Sequence, residues 1–173
     1  MAVYTEVVPD DLTAFLSRYD IGPAVSLEGI AQGIENSNYR LRTTAGLYVL
    51  TLYEKRVKPE DLPFFLGLMR HLSRSGFPCP APVEDRDGEF LHELSGRPAA
   101  IVHFAPGDWP REITPGHCRK VGAGLAKLHQ LAGGFRMTRK NDQSLPAWRT
   151  AIDALGKRAD ELRPGFGDWI GTE

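Results

Sequence analysis

The chain has 173 residues, 42% hydrophobic and 25% charged, with a formal net charge of −1. That is enough for one ordinary domain, or for a small lobe plus part of a second, and the composition is that of a globular chain and not a disordered one. A near-neutral chain offers no electrostatic basis for non-specific nucleic-acid binding, and no apolar run approaches the roughly 18 residues of a membrane span.

The opening MAVYTEVVPDDL has neither the basic end nor the apolar run of a signal peptide. Cys79 and Cys118 lie far apart without metal-ligand spacing. They read as two reduced thiols, with a disulfide as the alternative. These features predict a soluble cytoplasmic protein with no nucleic-acid or membrane partner.

Asp10 to Tyr19 reads as a short amphipathic helix, with Leu12, Phe15, Leu16 and Tyr19 on one face and Gly22-Pro23 as its stop. Three strands follow, at Val25–Ala31, Tyr39–Thr43 and Tyr48–Glu54. In the second, Tyr39, Leu41 and Thr43 alternate with Arg40 and Arg42; in the third, Tyr48, Leu50 and Leu52 alternate with Val49, Thr51 and Tyr53. Between the first two lies Gly33-Ile34-Glu35-Asn36-Ser37-Asn38, a bend of small polar residues whose backbone N–H groups can approach an anion closely. A strong helix follows Lys58-Pro59, with the apolar stripe Leu62, Phe65, Leu66, Met69 and Leu72 and a stop at Gly76.

Phe77 to Pro82 is extended by its prolines. A hairpin is predicted from Val83–Asp85 through the turn Asp87-Gly88 to Glu89–Leu94, and a fifth, buried strand over Arg97–Phe104. Ala105-Pro106-Gly107-Asp108 breaks regular structure and sets the expected lobe boundary, residues 1–105 against 106–173. Beyond it come a helix over Pro115–Leu131, with Cys118, Val121, Leu125, Leu128 and Ala132 on one stripe, and a weaker one over Trp148–Leu162 that Pro164-Gly165-Phe166-Gly167 ends.

This order is that of a protein-kinase-like small lobe, a hinge and the first helices of an incomplete large lobe, an α+β fold with a five-stranded antiparallel sheet. Gly33 to Tyr39, Tyr48 to Arg56, Asp61 to Phe65, Pro98 to Val102 with Phe104 to Gly107, and Gly122-x-Gly124-Leu125-Ala126-x-Leu128-His129 narrow it further. Together, in order, they resemble the bacterial homoserine kinases of the aminoglycoside/choline kinase-like class. The resemblance implies ATP-dependent phosphorylation of the L-homoserine hydroxyl, in threonine biosynthesis, with Mg2+ neutralising charge and a catalytic-loop Asp orienting the hydroxyl. The family carries a His-x-Asp loop, a later Asn and a magnesium-binding Asp. None of His71, His92, His103, His117 and His129 has Asp two residues on, and no Asn lies suitably. The expectation is therefore an N-terminal part, inactive alone, with its Mg2+ ligands elsewhere. A non-catalytic nucleotide-binding or regulatory module, and a related choline or aminoglycoside kinase, are the alternatives.

The candidate nucleotide contacts are Gly33, Asn36, Ser37 and Asn38 in the bend, with an ordinary hairpin turn as the plain alternative. Thr51 falls where many kinases carry a third-strand Lys. Lys55 shares its face about 13 Å further along at roughly 3.3 Å per residue, and is otherwise a solvated strand end. The hinge candidates are the main-chain groups of His103, Phe104 and Ala105. Trp109 is a candidate cleft wall or a packing residue, and His129 and the loop with Arg136, Arg139 and Lys140 are read as structural and solvated.

Overall fold

In a computed structural model describing residues 3–108 and 110–172, the alternating stretches form a five-stranded antiparallel sheet of order β1-β2-β3-β5-β4. Its strands are β1 (Ala24–Gly29), β2 (Ser37–Thr43), β3 (Leu47–Leu52), β4 (His92–Leu94) and β5 (Arg97–His103). Register follows the apolar alternation: Tyr39 pairs with Leu50 and Leu50 with Ile101, while Asn38 pairs with Thr51 and Thr51 with Ala100. Because side chains alternate across a strand, Tyr39, Leu41, Tyr48, Leu50, Leu52, Ala99 and Ile101 share one face, and all are buried. Helix α1 (Pro9–Leu16) covers it with Leu12, Phe15 and Leu16. Pro9 opens the helix, and Asp10 and Asp11 sit at the positive end of its dipole. The helix stops three residues short of the expected Tyr19, whose N–H returns to the Leu16 carbonyl and keeps the ring in the core.

Two arms lie along the outer edge of β5, and this differs from the expected hairpin. Val83 N–H donates to the Ile101 carbonyl and His103 N–H to Ala81, whereas β4 pairs with Arg97–Ala99. Each arm thus satisfies part of the same edge of β5. The connection turns at Asp85, whose side chain is 2% exposed. Its Oδ1 accepts the N–H groups of Asp87 and Glu89, both at 2.9 Å, and Oδ2 lies 2.8 Å from His92 Nε2. Burial pushes the carboxyl up, but these N–H donors and His92 together hold it below the usual carboxylate range. A carboxyl depressed on folding contributes stability above its unfolded value, about 3.9, that is lost as pH falls through the folded one. The stability gap between wild type and Asp85→Asn in urea titrations should therefore narrow as pH falls below about 4.

The Tyr19 hydroxyl is buried with no hydrogen-bond partner among the described residues. Burial first, and then the Asp85 carboxylate, push its pKa far up, so it stays neutral. An unpaired buried hydroxyl costs about 1 kcal/mol or more. Tyr19→Phe should accordingly raise stability by about 1 kcal/mol in urea unfolding.

A single 3-10 turn, Pro59–Asp61, leads into α2 (Leu62–Arg74). The helix ends in a Schellman motif: Gly76 has φ +77, Gly76 N–H bonds to the Ser73 carbonyl, and Phe77 N–H bonds to Leu72. Helix α3 (Pro115–Ala132) starts in a capping box made by Thr114 and His117. It packs on α2, and the residues after it extend the contact: Phe135 meets Phe64 and His71, and Gly67 leaves room for Phe135 and Met137. For that reason the first compact unit runs to Met137, well beyond the Pro-Gly break at which the sequence sets the lobe boundary. On the α3 stripe, Val121 and Leu125 remain 70% and 52% exposed.

The second unit begins at Thr138. Helix α4 (Leu145–Leu155) is capped by Ser144 and ends earlier than expected, at Gly156, passing into the 3-10 turn Gly156–Glu161. A short α5 (Phe166–Thr172) starts within the stretch read as a stop. Asp160 accepts the Gly167 N–H at 2.8 Å, and Phe166 stacks on Trp169. Cys79 and Cys118 are both free. Among the described residues no helix is long and apolar enough to cross a membrane.

Candidate functional site

With one face of the sheet closed, chemistry is left to the other. There Asn38 and Arg40 of β2 stand beside Thr51 and Val49 of β3, which pair in turn with Ala100 and Val102 of β5. Asn38, Val49, Thr51 and Val102 are half-buried. Above this face a cavity of about 390 Å³ is bounded by Glu28, Ile30, Ala31, Gln32, Arg40 and Phe104. The Arg40–Glu28 ion pair at 2.9 Å lies at its rim, with both side chains more than half exposed, so it orders the rim more than it stabilises the fold.

The bend between β1 and β2 is tied at its neck, where Ile30 N–H donates to the Asn38 carbonyl at 2.8 Å. Gly33 takes φ +114, a conformation that L side chains rarely adopt. Among the described residues, the N–H groups of Ala31 to Asn36 donate to no protein acceptor. A run of unspent backbone donors around a glycine suits an anion with several oxygens.

The side chains of the bend do less than the sequence reading expects. Ser37 is fully buried; its hydroxyl donates to Glu54 Oε1 at 2.7 Å and accepts the N–H groups of Tyr4 and Thr5 at 2.8 and 3.1 Å. One hydrogen and two lone pairs exhaust a hydroxyl. Ser37 therefore anchors the bend and does not face a ligand, a correction to the expected donor role. Asn36 Oδ1 accepts the Glu54 N–H at 3.2 Å, and Asn38 Oδ1 accepts the Thr51 hydroxyl at 2.8 Å. Both amides keep NH₂ hydrogens to spare, whereas Thr51 has used its only one.

Thr51 and Lys55 are not brought together. Strand β3 ends at Leu52, and Lys55 lies in a turn beside Tyr4, Thr5, Ile34, Glu35 and Arg97 around a different cavity of about 430 Å³. At the hinge, His103 N–H is taken by the Ala81 carbonyl and Phe104 N–H by Leu47. Among the described residues only Ala105, of the three hinge candidates, has an N–H without a protein acceptor. Phe104 contributes its exposed ring to the smaller cavity instead. Trp109 lies outside the described residues. The sequence reading overlooked Glu54 as a site residue. Its signal was available: Glu54 follows Leu50 and Leu52 at even spacing, so the alternation aims a carboxylate toward the core side.

Among the described residues no group of three or more His, Cys, Asp or Glu is placed to share a metal ion.

Residues 26–170 match the model of the APH phosphotransferase enzyme family. A homoserine kinase of Bradyrhizobium diazoefficiens is 53% identical over all 173 residues, which cover 53% of that protein. One from Granulibacter bethesdensis is 55% identical over 168 residues, covering 97% of this chain and 53% of the relative. The chain thus spans about half the length of these relatives. Among solved structures, a spectinomycin phosphotransferase in complex with ADP and spectinomycin superposes with a TM-score of 0.61 at 17% identity, over 86% of this chain and 46% of that one. At that identity the likeness shows the fold, which is protein-kinase-like.

Proposed function

This chain belongs to the phosphotransferase enzyme family, and from that premise we propose that it is the nucleotide-binding part of an ATP-dependent L-homoserine kinase. The observation that carries the reading is identity of 53% and 55% to two homoserine kinases across nearly all of this chain. Phosphorylation of homoserine serves threonine biosynthesis, a cytoplasmic process, and needs neither a nucleic acid nor a membrane.

ATP would supply the phosphoryl group. The residues present fit it in a specific way. The unspent N–H groups of Ala31 to Asn36 bind and orient the phosphate oxygens, with Gly33 permitting close approach. The spare NH₂ hydrogens of Asn36 and Asn38 add neutral donors. Ala105 N–H is the hinge donor for the adenine, Phe104 covers its edge, and Val49 and Val102 form an apolar floor that excludes water. Lys55 reaches a phosphate only if its turn moves, so it is assigned no contact in this arrangement.

No proton transfer is assigned to any of these residues, since no His-x-Asp loop occurs among them. Mg2+ likewise has no cluster of three or more His, Cys, Asp or Glu to hold it among the described residues. The 173-residue chain by itself should give no turnover. The test is ADP release by the full-length protein with homoserine, choline or an aminoglycoside as acceptor. Turnover with homoserine alone is expected. Turnover confined to choline or the aminoglycoside would overturn the acceptor, and no nucleotide use with any of them would overturn the kinase reading.

A further inference from the structure

We propose that Glu54 is the positioning residue of the nucleotide site: its carboxylate and its backbone N–H hold the bend at residues 31–36 in the shape that receives phosphates. The inference rests on the nucleotide reading above. An apolar residue would continue the Leu50 and Leu52 alternation at this end of the sheet; the chain instead buries a carboxylate whose side chain is 9% exposed. A carboxylate withdrawn from water is tolerated only where its oxygens are met by donors. Here Oε1 accepts the Ser37 hydroxyl at 2.7 Å and Oε2 lies 3.1 Å from Arg97 Nε, at the start of β5.

Those partners lead to the bend from two sides. At its exit, Glu54 N–H donates to Asn36 Oδ1, and Ser37 begins β2. At its outer turn, the Tyr4 phenol donates to the Ile34 carbonyl at 3.1 Å, and the Tyr4 N–H is held by the same Ser37 hydroxyl that Glu54 accepts. Glu54, Ser37 and Tyr4 therefore form one connected path to the Ile34 carbonyl, and none of these three side chains is among the groups assigned to the phosphates. Residues 31–35 are all exposed, so the shape of the bend comes from this path and not from its own packing.

Glu54→Ala, Glu54→Gln and Tyr4→Phe in the full-length protein separate positioning from simple stability. Glu54→Ala should raise the KM for ATP about ten-fold while the KM for homoserine and kcat stay within about two-fold. Glu54→Gln, which keeps an acceptor oxygen and the shape, should recover part of that loss. The slowing of amide exchange at 31–36 by a non-hydrolysable ATP analogue should be weaker in both than in the wild type. Tyr4→Phe removes one exposed hydrogen bond, so it keeps the test open should Glu54→Ala fail to fold; it should raise the KM for ATP about two- to three-fold. Unchanged ATP KM in the soluble variants, with only a lowered melting temperature, would overturn the proposal. A wild-type protein that binds no ATP analogue would instead overturn the nucleotide reading beneath it.

Discussion

Leu50→Ala is expected to cost about 3–4 kcal/mol of folding stability, a large share of the roughly 5–15 kcal/mol that holds an ordinary domain together. Leu50 is fully buried in β3, a central strand, with Tyr39 and Ile101 as its cross-strand neighbours. The space it fills is walled by the sheet and by Leu12, Phe15 and Leu16 of α1. Strands hydrogen-bonded on both edges cannot slide to close a cavity, so lost burial and residual void add together. The adjacent Val49, half-buried on the open face, is the control: Val49→Ala should cost about 1 kcal/mol. Urea titration of the three proteins decides it. Equal losses at both positions would mean that α1 does not close the face assigned here.

Gly33→Val is expected to weaken binding of a non-hydrolysable ATP analogue about ten-fold or more while leaving the melting temperature within a few degrees of wild type. The reason is conformational. At φ +114 a β-branched residue is strained by about 1–3 kcal/mol, and the bend relieves that strain by turning away from its present shape. Gly33 is exposed, and its nearest neighbour to an added Cβ is Asn38 Nδ2 at 3.6 Å, so steric collision contributes little. Calorimetric titration of the full-length variant measures the affinity directly. Wild-type affinity in Gly33→Val would remove the bend from the binding surface.

Much of the sheet was legible because its determinants are local. Tyr39 to Thr43 and Tyr48 to Leu52 alternate cleanly, and the buried faces fall where that alternation puts them. Gly76 announced the end of α2 through its positive φ. The miss at residues 83–94 has a different origin. Asp87-Gly88 does make a turn, but the competition of two arms for one edge of β5 is a tertiary matter that no hairpin pattern encodes. The last helix was missed because Phe166 to Thr172 is short and opens beside Pro164 and Gly165, residues that read as a stop. Its first turn is helped by Asp160, six positions upstream of Phe166, a contact beyond the reach of local pattern.

The candidate site was legible as a stretch and not as a set of roles. Small polar residues around Gly33 marked the bend, but composition does not say which groups face inward. Burial of Ser37, and the bond from Thr51 to Asn38, follow from register with β3 and from the N-terminal segment passing behind the bend. The same packing turns an acidic residue at a strand end into the hub of the path. The hinge shows the converse. Ala105 was named with His103 and Phe104 on position alone, and only the sheet's own hydrogen bonds single it out.

Hydrogen exchange of the full-length protein with and without a non-hydrolysable ATP analogue bears most directly on the nucleotide site. The N–H groups of residues 31–36, without protein acceptors in the structure, should exchange rapidly in the free protein and slow markedly on binding, together with that of Ala105. Protection that bypasses 31–36 and appears elsewhere, with the analogue demonstrably bound, would contradict the assignment of this bend to the phosphates.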